Sequence, residues 1–218
     1  MKSLVRLCVY GSVTAALPTG VWAWACAQNH SLGAVQVVDS HMTRAEALGN
    51  NHFPADVLAK MEVVTVTYNG FDHRRHQGQI VVDRVVAKDV KHIFDEIEAT
   101  GYPITKVVPI VAYKWDDQAS IDDNNTSAFN YRHVIGPGQN SAKLSNHSFG
   151  RAIDLNPGIN PFVAKDGTSP RPYDPSKPGT LTLKSPVTQI FLTHNWKWGG
   201  QWMKGKDYQH FERVGGRG

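Results

Sequence analysis

The chain is expected to adopt an α+β fold: a single domain with a mostly antiparallel sheet and helices on one face. Three observations lead there. A period of two appears at 62–68, where valines alternate with threonines, and at 150–156, where the small or polar Ala152, Asp154 and Asn156 alternate with the bulkier Arg151, Ile153 and Leu155. One long helical pattern, at 86–99, lies between those two segments. A further turn-into-strand segment closes the chain around 207–212.

Taken in order, residues 28–60 read as a polar lead with a short helix around 44–48. Val63, Val64, Thr65, Val66, Thr67 and Tyr68 are β-branched or aromatic and predict a strand at 62–68. A second strand is expected at 79–82. Val86, Val90, Ile93, Phe94 and Ile97 fall at helical spacing, and Gly101 and Pro103 stop that helix. Residues 106–112 are a buried-strand candidate, and 116–123 a helical turn or loop. Asn156, Pro157 and Gly158 end the strand that begins at 150. Residues 160–178, rich in Pro, Gly and charge, predict a long surface loop. Pro186 opens a helix to about 194, since proline suits a first helical turn. No internal repeat is visible.

Residues 1–27 have the pattern of a secretory signal peptide. Lys2 and Arg6 precede an apolar, small-residue run, and Ala25-Cys26-Ala27 fits a small-x-small cleavage site. Pro18 and Gly20 interrupt the run, which argues against a spanning helix. Both cysteines, Cys8 and Cys26, lie within this segment, so residues 28–218 carry no thiol for a disulfide, a metal or a nucleophile. Removing Lys2 and Arg6 takes the formal charge of +4 down to +2, and no polybasic run appears. That charge is too mild to argue for nucleic acid. Residues 28–218 are long enough for one domain with a sizeable core.

The chemistry concentrates in two stretches. Ser145-Asn146-His147-Ser148-Phe149-Gly150-Arg151-Ala152-Ile153-Asp154 places a histidine and an aspartate seven residues apart in a strand-like context. Asp207-Tyr208-Gln209-His210-Phe211-Glu212 follows near the C-terminus, with His210 and Glu212 expected on one strand face and Asp207 on the turn entering it. Together they offer two imidazoles, a carboxylate ligand and spare carboxylates. A hydrolytic zinc ion requires such a set: three protein ligands, an open position and a nearby acid/base. One histidine among ten is ordinarily a surface residue; the joint pattern is what carries the reading. Gly150 reads as a backbone position that tolerates no side chain near the ligand loop.

The patterns S-x-H-x-x-G-x-A-x-D, then W-G-G-x-W and D-x-x-H-F-E, resemble the VanY-type zinc peptidases, which include D-Ala-D-Ala carboxypeptidases and L-Ala-D-Glu endopeptidases of bacterial cell walls. The resemblance spans roughly 120–214. It implies His147, Asp154 and His210 as ligands of one zinc ion and Asp207 as general base and acid. Many members of the wider family carry glutamate at that last position, and the aspartate here is similar to one branch of it. The segment from Asn125 to Arg132 is similar to the T-S-G-Y-R-like segment of the family, whose arginine faces the metal. Arg132 would then stabilise an oxyanion or clamp a substrate carboxylate, against the plain alternative of an exposed structural arginine. Ser127 and Ser145 are candidates for orienting substrate, with turn or capping roles as the alternative. Trp202 is a candidate wall of the substrate cleft. Ordinary packing is the alternative there and the preferred reading of Trp196.

The resemblance also implies a fold shared with Hedgehog signalling domains, and hence a rival role as a zinc-containing, non-catalytic binding module. Asp207 argues against that rival, because a pure binding module needs no carboxylate there. The expected protein is a secreted or periplasmic zinc peptidase acting on peptidoglycan stem peptides. It is expected to be a monomer without a transmembrane segment after signal cleavage and without a nucleic-acid partner. A D-Ala-D-Ala carboxypeptidase is favoured over an L-Ala-D-Glu endopeptidase.

Overall fold

Alternation at 61–69 builds a nine-residue strand and, with an equally long hairpin partner, the first of four small sheets among the described residues. The structure, a computed structural model, describes residues 33–134 and 143–215. Residues 1–27, expected to be a signal peptide, lie outside the described residues. Ala34–Gly218 form one compact unit.

The elements run β1 (Val37–Val38), α1 (Arg44–Ala47), α2 (Ala55–Leu58), β2 (Met61–Asn69), β3 (Arg75–Asp83), α3 (Ala87–Ala99), β4 (Lys106–Val107), α4 (Asp117–Asp122) and β5 (Asn125–Thr126). There follow β6 (Ala152–Asp154), β7 (Phe162–Ala164), α5 (Pro186–Thr193), β8 (Trp196–Trp198), β9 (Gly205–Asp207) and β10 (His210–Arg213). Short 3-10 turns occupy Ile110–Tyr113, Asn146–Phe149 and Gly199–Gln201. Among the described residues no helix is long and apolar enough to cross a membrane.

Helix and sheet mix as an α+β fold requires, but the single antiparallel sheet is replaced. The sheets are β1-β3-β2, β6-β10-β8, β4-β5 and β7-β9, with β1 parallel to β3 and β4 parallel to β5. Strands of two to four residues outside the hairpin cannot extend one continuous ladder. The expected strand at 106–112 shows why. It stops at Val107, and Pro109 opens a 3-10 turn that ends at Lys114 and Trp115, both with left-handed backbone.

Helices do not cover one face alone. On β2 and β3, Val64, Val66, Tyr68, Ile80 and Val82 point into the main core with Val90, Ile93, Phe94 and Ile97 of α3. Met61, Val63 and Val81 point the other way, into a second cluster with Ala47, Leu48, Val57, Phe53, Trp115, Phe129 and Tyr131. A period of two divides one hairpin between two cores. The first strand of the pair was legible from its β-branched run. The N-terminal half of β3 was not, because Arg75, His76 and Gln77 are polar and are held by ion pairs and hydrogen bonds that carry no strand signature.

The second sheet carries the two histidine motifs. It closes on the same main core, where Phe211 of β10 stacks on Phe191 of α5 with ring centroids 3.9 Å apart. Buried aromatic side chains of this kind contribute about 1.5–3 kcal/mol each. The region 160–178 is not wholly irregular: β7 within it pairs with β9 and lays Phe162 opposite Asp207.

The two sheets meet at Gly150. Its backbone is left-handed (φ +60°), its carbonyl accepts from Asp83 N, and a Cβ built there would lie 2.5 Å from that nitrogen. Arg151 Nε also donates to Asp83 Oδ2 at 2.9 Å. Gly150→Ala is therefore expected to cost at least about 1–2 kcal/mol from the left-handed backbone alone, with the clash against β3 adding to it. Urea unfolding checks this; a variant within 0.5 kcal/mol of wild type, on the order of a neutral surface change, contradicts the tight contact.

Candidate metal centre

His147 sits in a 3-10 turn, not in the strand-like setting expected. Ser145 caps that turn, its hydroxyl accepting from His147 N at 3.3 Å, and Gly150 ends it. The turn aims the imidazole inward. Nδ1 lies 2.6 Å from the carbonyl of Ala128. A carbonyl only accepts, so Nδ1 carries the proton and Nε2 presents its lone pair to the site.

Asp154 ends β6 directly opposite His210 of β10. On its other side its backbone bridges Ser127, with hydrogen bonds in both directions. These pairings leave the carboxylate little freedom. His147 Nε2 is 3.2 Å from Asp154 Oδ2, His210 Nδ1 is 3.1 Å from Asp154 Oδ1, and the two imidazole nitrogens are 3.2 Å apart. All three residues are buried, and their ligand atoms lie within 4.8 Å of one another.

The charges explain what this cluster seeks. Burial opposes ionising Asp154, yet His147 and His210 hold its carboxyl far below the ordinary carboxylate range. Burial likewise opposes charging His210, but Asp154 and Glu212 raise its pKa to about 10. Two imidazole nitrogens and one carboxylate oxygen, convergent and buried, form a donor set that could hold a zinc ion.

Glu212 is part of the same construction. Its Oε2 is 3.6 Å from His210 Nε2 and accepts from Asn146 of the His147 turn. A carboxylate behind a ligating imidazole fixes its orientation and raises its basicity. The period of two already put Glu212 on the His210 face; what the sequence does not display is that it faces the ring's far nitrogen.

Asp207 is the last residue of β9, not part of the following turn. Gly199 packs against it so closely that a Cβ there would lie 2.5 Å from the Asp207 carbonyl oxygen. Its Oδ1 is sheltered from solvent and has no hydrogen-bond partner among the described residues. Burial, reinforced by the negative charge of Asp154, lifts its pKa to about 6 against the opposing charges of His210, His147 and Arg132. Arg132 therefore lies within electrostatic reach of Asp207. Trp202, partly exposed, tilts against His210 with ring centroids 5.2 Å apart. Trp196 is core, its Nε1 donating to Asp89, and Trp198 is buried with Nε1 on the Tyr208 carbonyl. The structure thus gathers His147, Asp154, His210, Asp207, Arg132 and Trp202, while Ser127 and Ser145 hold the backbone around them.

Asp207 also sets a stability signature. Its native pKa of about 6 lies above the ordinary 3.8, so the native chain binds this proton more tightly than the unfolded chain does. Its contribution favours folding below about pH 4 and is lost as pH rises through 6. With a chelator present, Asp207→Asn should stabilise the protein at pH 7 by on the order of 1–3 kcal/mol, the scale of one to two pKa units, and give little gain at pH 4. Denaturant unfolding at the two pH values checks this; an equal change at both contradicts it.

Residues 139–213 match the model of the family described as D-alanyl-D-alanine carboxypeptidase. No curated protein and no solved structure matches the chain. The matched segment includes His147, Asp154, Asp207 and His210, whereas Ser127 and Arg132 lie upstream of it. Over these residues the chain is similar to that family, which points to a metallopeptidase-type hydrolase.

Proposed function

We propose that this protein is a secreted zinc peptidase that trims peptidoglycan stem peptides, as a D-Ala-D-Ala carboxypeptidase. The observation that carries the reading is the buried His147–Asp154–His210 triangle with a sheltered carboxylate, Asp207, beside it. The family match over the same residues supports the substrate class. The signal-like segment 1–27 supports delivery outside the cytoplasm.

His147 Nε2, His210 Nδ1 and an Asp154 oxygen would hold one zinc ion. Bound zinc supplies Lewis acidity and lowers the pKa of its water to roughly 7. Asp207, whose sheltered Oδ1 has no hydrogen-bond partner among the described residues, is placed to work as base and then acid. It takes a proton from the attacking water as the new C–O bond forms. It then delivers that proton to the leaving amine as the C–N bond breaks, giving a free amine and a new carboxylate. Arg132 offers N–H donors to the carbonyl oxygen as it gains charge, or to the terminal carboxylate of the substrate. Trp202 flanks His210 as one wall of the cleft.

In the zinc-loaded protein, Asp207→Asn should keep metal and fold yet lose a factor on the order of 10²–10⁴ in turnover, the range for a positioned acid/base. Near-normal turnover with full zinc occupancy would move the chemistry elsewhere and favour a binding module.

Specificity has its own test. Amidating the terminal D-Ala of a model stem peptide should cost about 1.5–3 kcal/mol of recognition, the scale of a charge-assisted hydrogen bond. Mass spectrometry of the products reads both rate and cleavage position. Equal cleavage of free and amidated peptides at an internal bond overturns the carboxypeptidase assignment in favour of an endopeptidase.

A further inference from the structure

The segment Asn130-Tyr131-Arg132 is held between two elements. On the metal side, Asn130 N donates to the His147 carbonyl and Ser145 N to the Arg132 carbonyl. Ser148 Oγ accepts from Arg132 N at 2.9 Å and donates to Arg132 O at 2.6 Å. The main chain of Arg132 is thus registered to the turn that bears His147.

The side chains are held by α4. Residues 130 and 132 alternate with Tyr131, which turns to the Phe53 aromatic cluster with ring centroids 5.3 Å apart. Asn130 and Arg132 share the other direction, and a single carboxylate meets both. Asp117 Oδ1 accepts from Asn130 Nδ2 at 3.1 Å, and Asp117 Oδ2 lies 3.2 Å from Arg132 Nε. Capping of α4 does not need Asp117, because Asp116 caps it by accepting from Ala119 N. Arg132 Nε is sheltered from solvent, and its approach to Asp117 falls short of a well-aligned hydrogen bond. Among the described residues Asp117 is the one carboxylate within ion-pair distance of this guanidinium.

We propose that Asp117 is a positioning residue for Arg132: it holds the Nε edge of the guanidinium and turns the terminal edge toward the site. This rests on the peptidase reading above. Two physical demands support it. A guanidinium beside a divalent cation is repelled by it, and a carboxylate behind the guanidinium offsets that repulsion. A planar fork recognises a carboxylate or oxyanion only when its plane is fixed, and anchoring Nε fixes it. Loose alignment in the free protein fits an element that tightens when an anionic group arrives.

The test uses the zinc-loaded full chain and a tripeptide ending in D-Ala-D-Ala. Asp117→Asn keeps an oxygen for Asn130 and removes the charge. It should retain zinc and the wild-type melting temperature, yet lower kcat/KM by on the order of 10- to 100-fold, the cost of a misplaced group. In an Arg132→Ala background the same substitution should change nothing further. Multiplicative losses, or wild-type kcat/KM in Asp117→Asn, overturn the proposal. If the wild-type protein cleaves no such peptide, the carboxypeptidase reading fails, and the coupling is read instead from calorimetric affinity for the intact tripeptide. The same non-additivity is expected there, and additive losses overturn the positioning role on their own.

Discussion

A carboxylate buried between two imidazoles is the constraint around which this protein is organised. Asp154 is almost wholly removed from solvent, and a charged oxygen in that position is costly unless cations or donors surround it. His147 and His210 meet that need from two different segments, one in a capped turn and one in a strand. The surrounding contacts hold the three together. Ala128 sets the tautomer of His147, Glu212 backs His210, and the Ser127 and His210 pairings hold Asp154 on both edges. Asp154 and Glu212 in turn raise the pKa of His210 against the effect of its burial.

The scaffold transmits rigidity to that cluster from well outside it. The β2–β3 hairpin is packed on both faces, and its end at Asp83 is tied to Gly150 and Arg151. Beyond β6, Asn156 adopts a left-handed backbone and is fully buried. Its amide donates to the Pro103 carbonyl, and its oxygen accepts from Thr105 N. The strand bearing Asp154 is therefore clamped at both ends by other parts of the chain. On the opposite flank, Tyr173 stacks on Tyr208 with centroids 3.7 Å apart, pressing the 160–178 region against the segment between Asp207 and His210.

Much of this was legible in the sequence where the signal is local. The β-branched run of β2, the helical spacing of α3 and the proline that opens α5 all read directly. The two histidine motifs could be paired from ligand type and spacing, and the fold does bring His147, Asp154 and His210 together. What was hidden is non-local. Lys106 and Val107 begin a plausible long strand, but only the tertiary path shows that Pro109 diverts it. Phe162 and Val163 look like loop residues until β9 arrives to pair with them. Asp117 carries no motif at all, and its relation to Arg132 appears only once α4 packs beside the segment 130–132. The division into four small sheets follows from such breaks, none of which has a strong periodic signature.

X-ray absorption at the zinc edge of the metal-loaded protein tests the central claim most directly. The account predicts one zinc per chain with two imidazole nitrogens and at least one carboxylate oxygen, and loss of one imidazole contribution or of the metal itself in His147→Ala and in His210→Ala. A full complement of unchanged imidazole scattering in either variant, with zinc still bound, would contradict it.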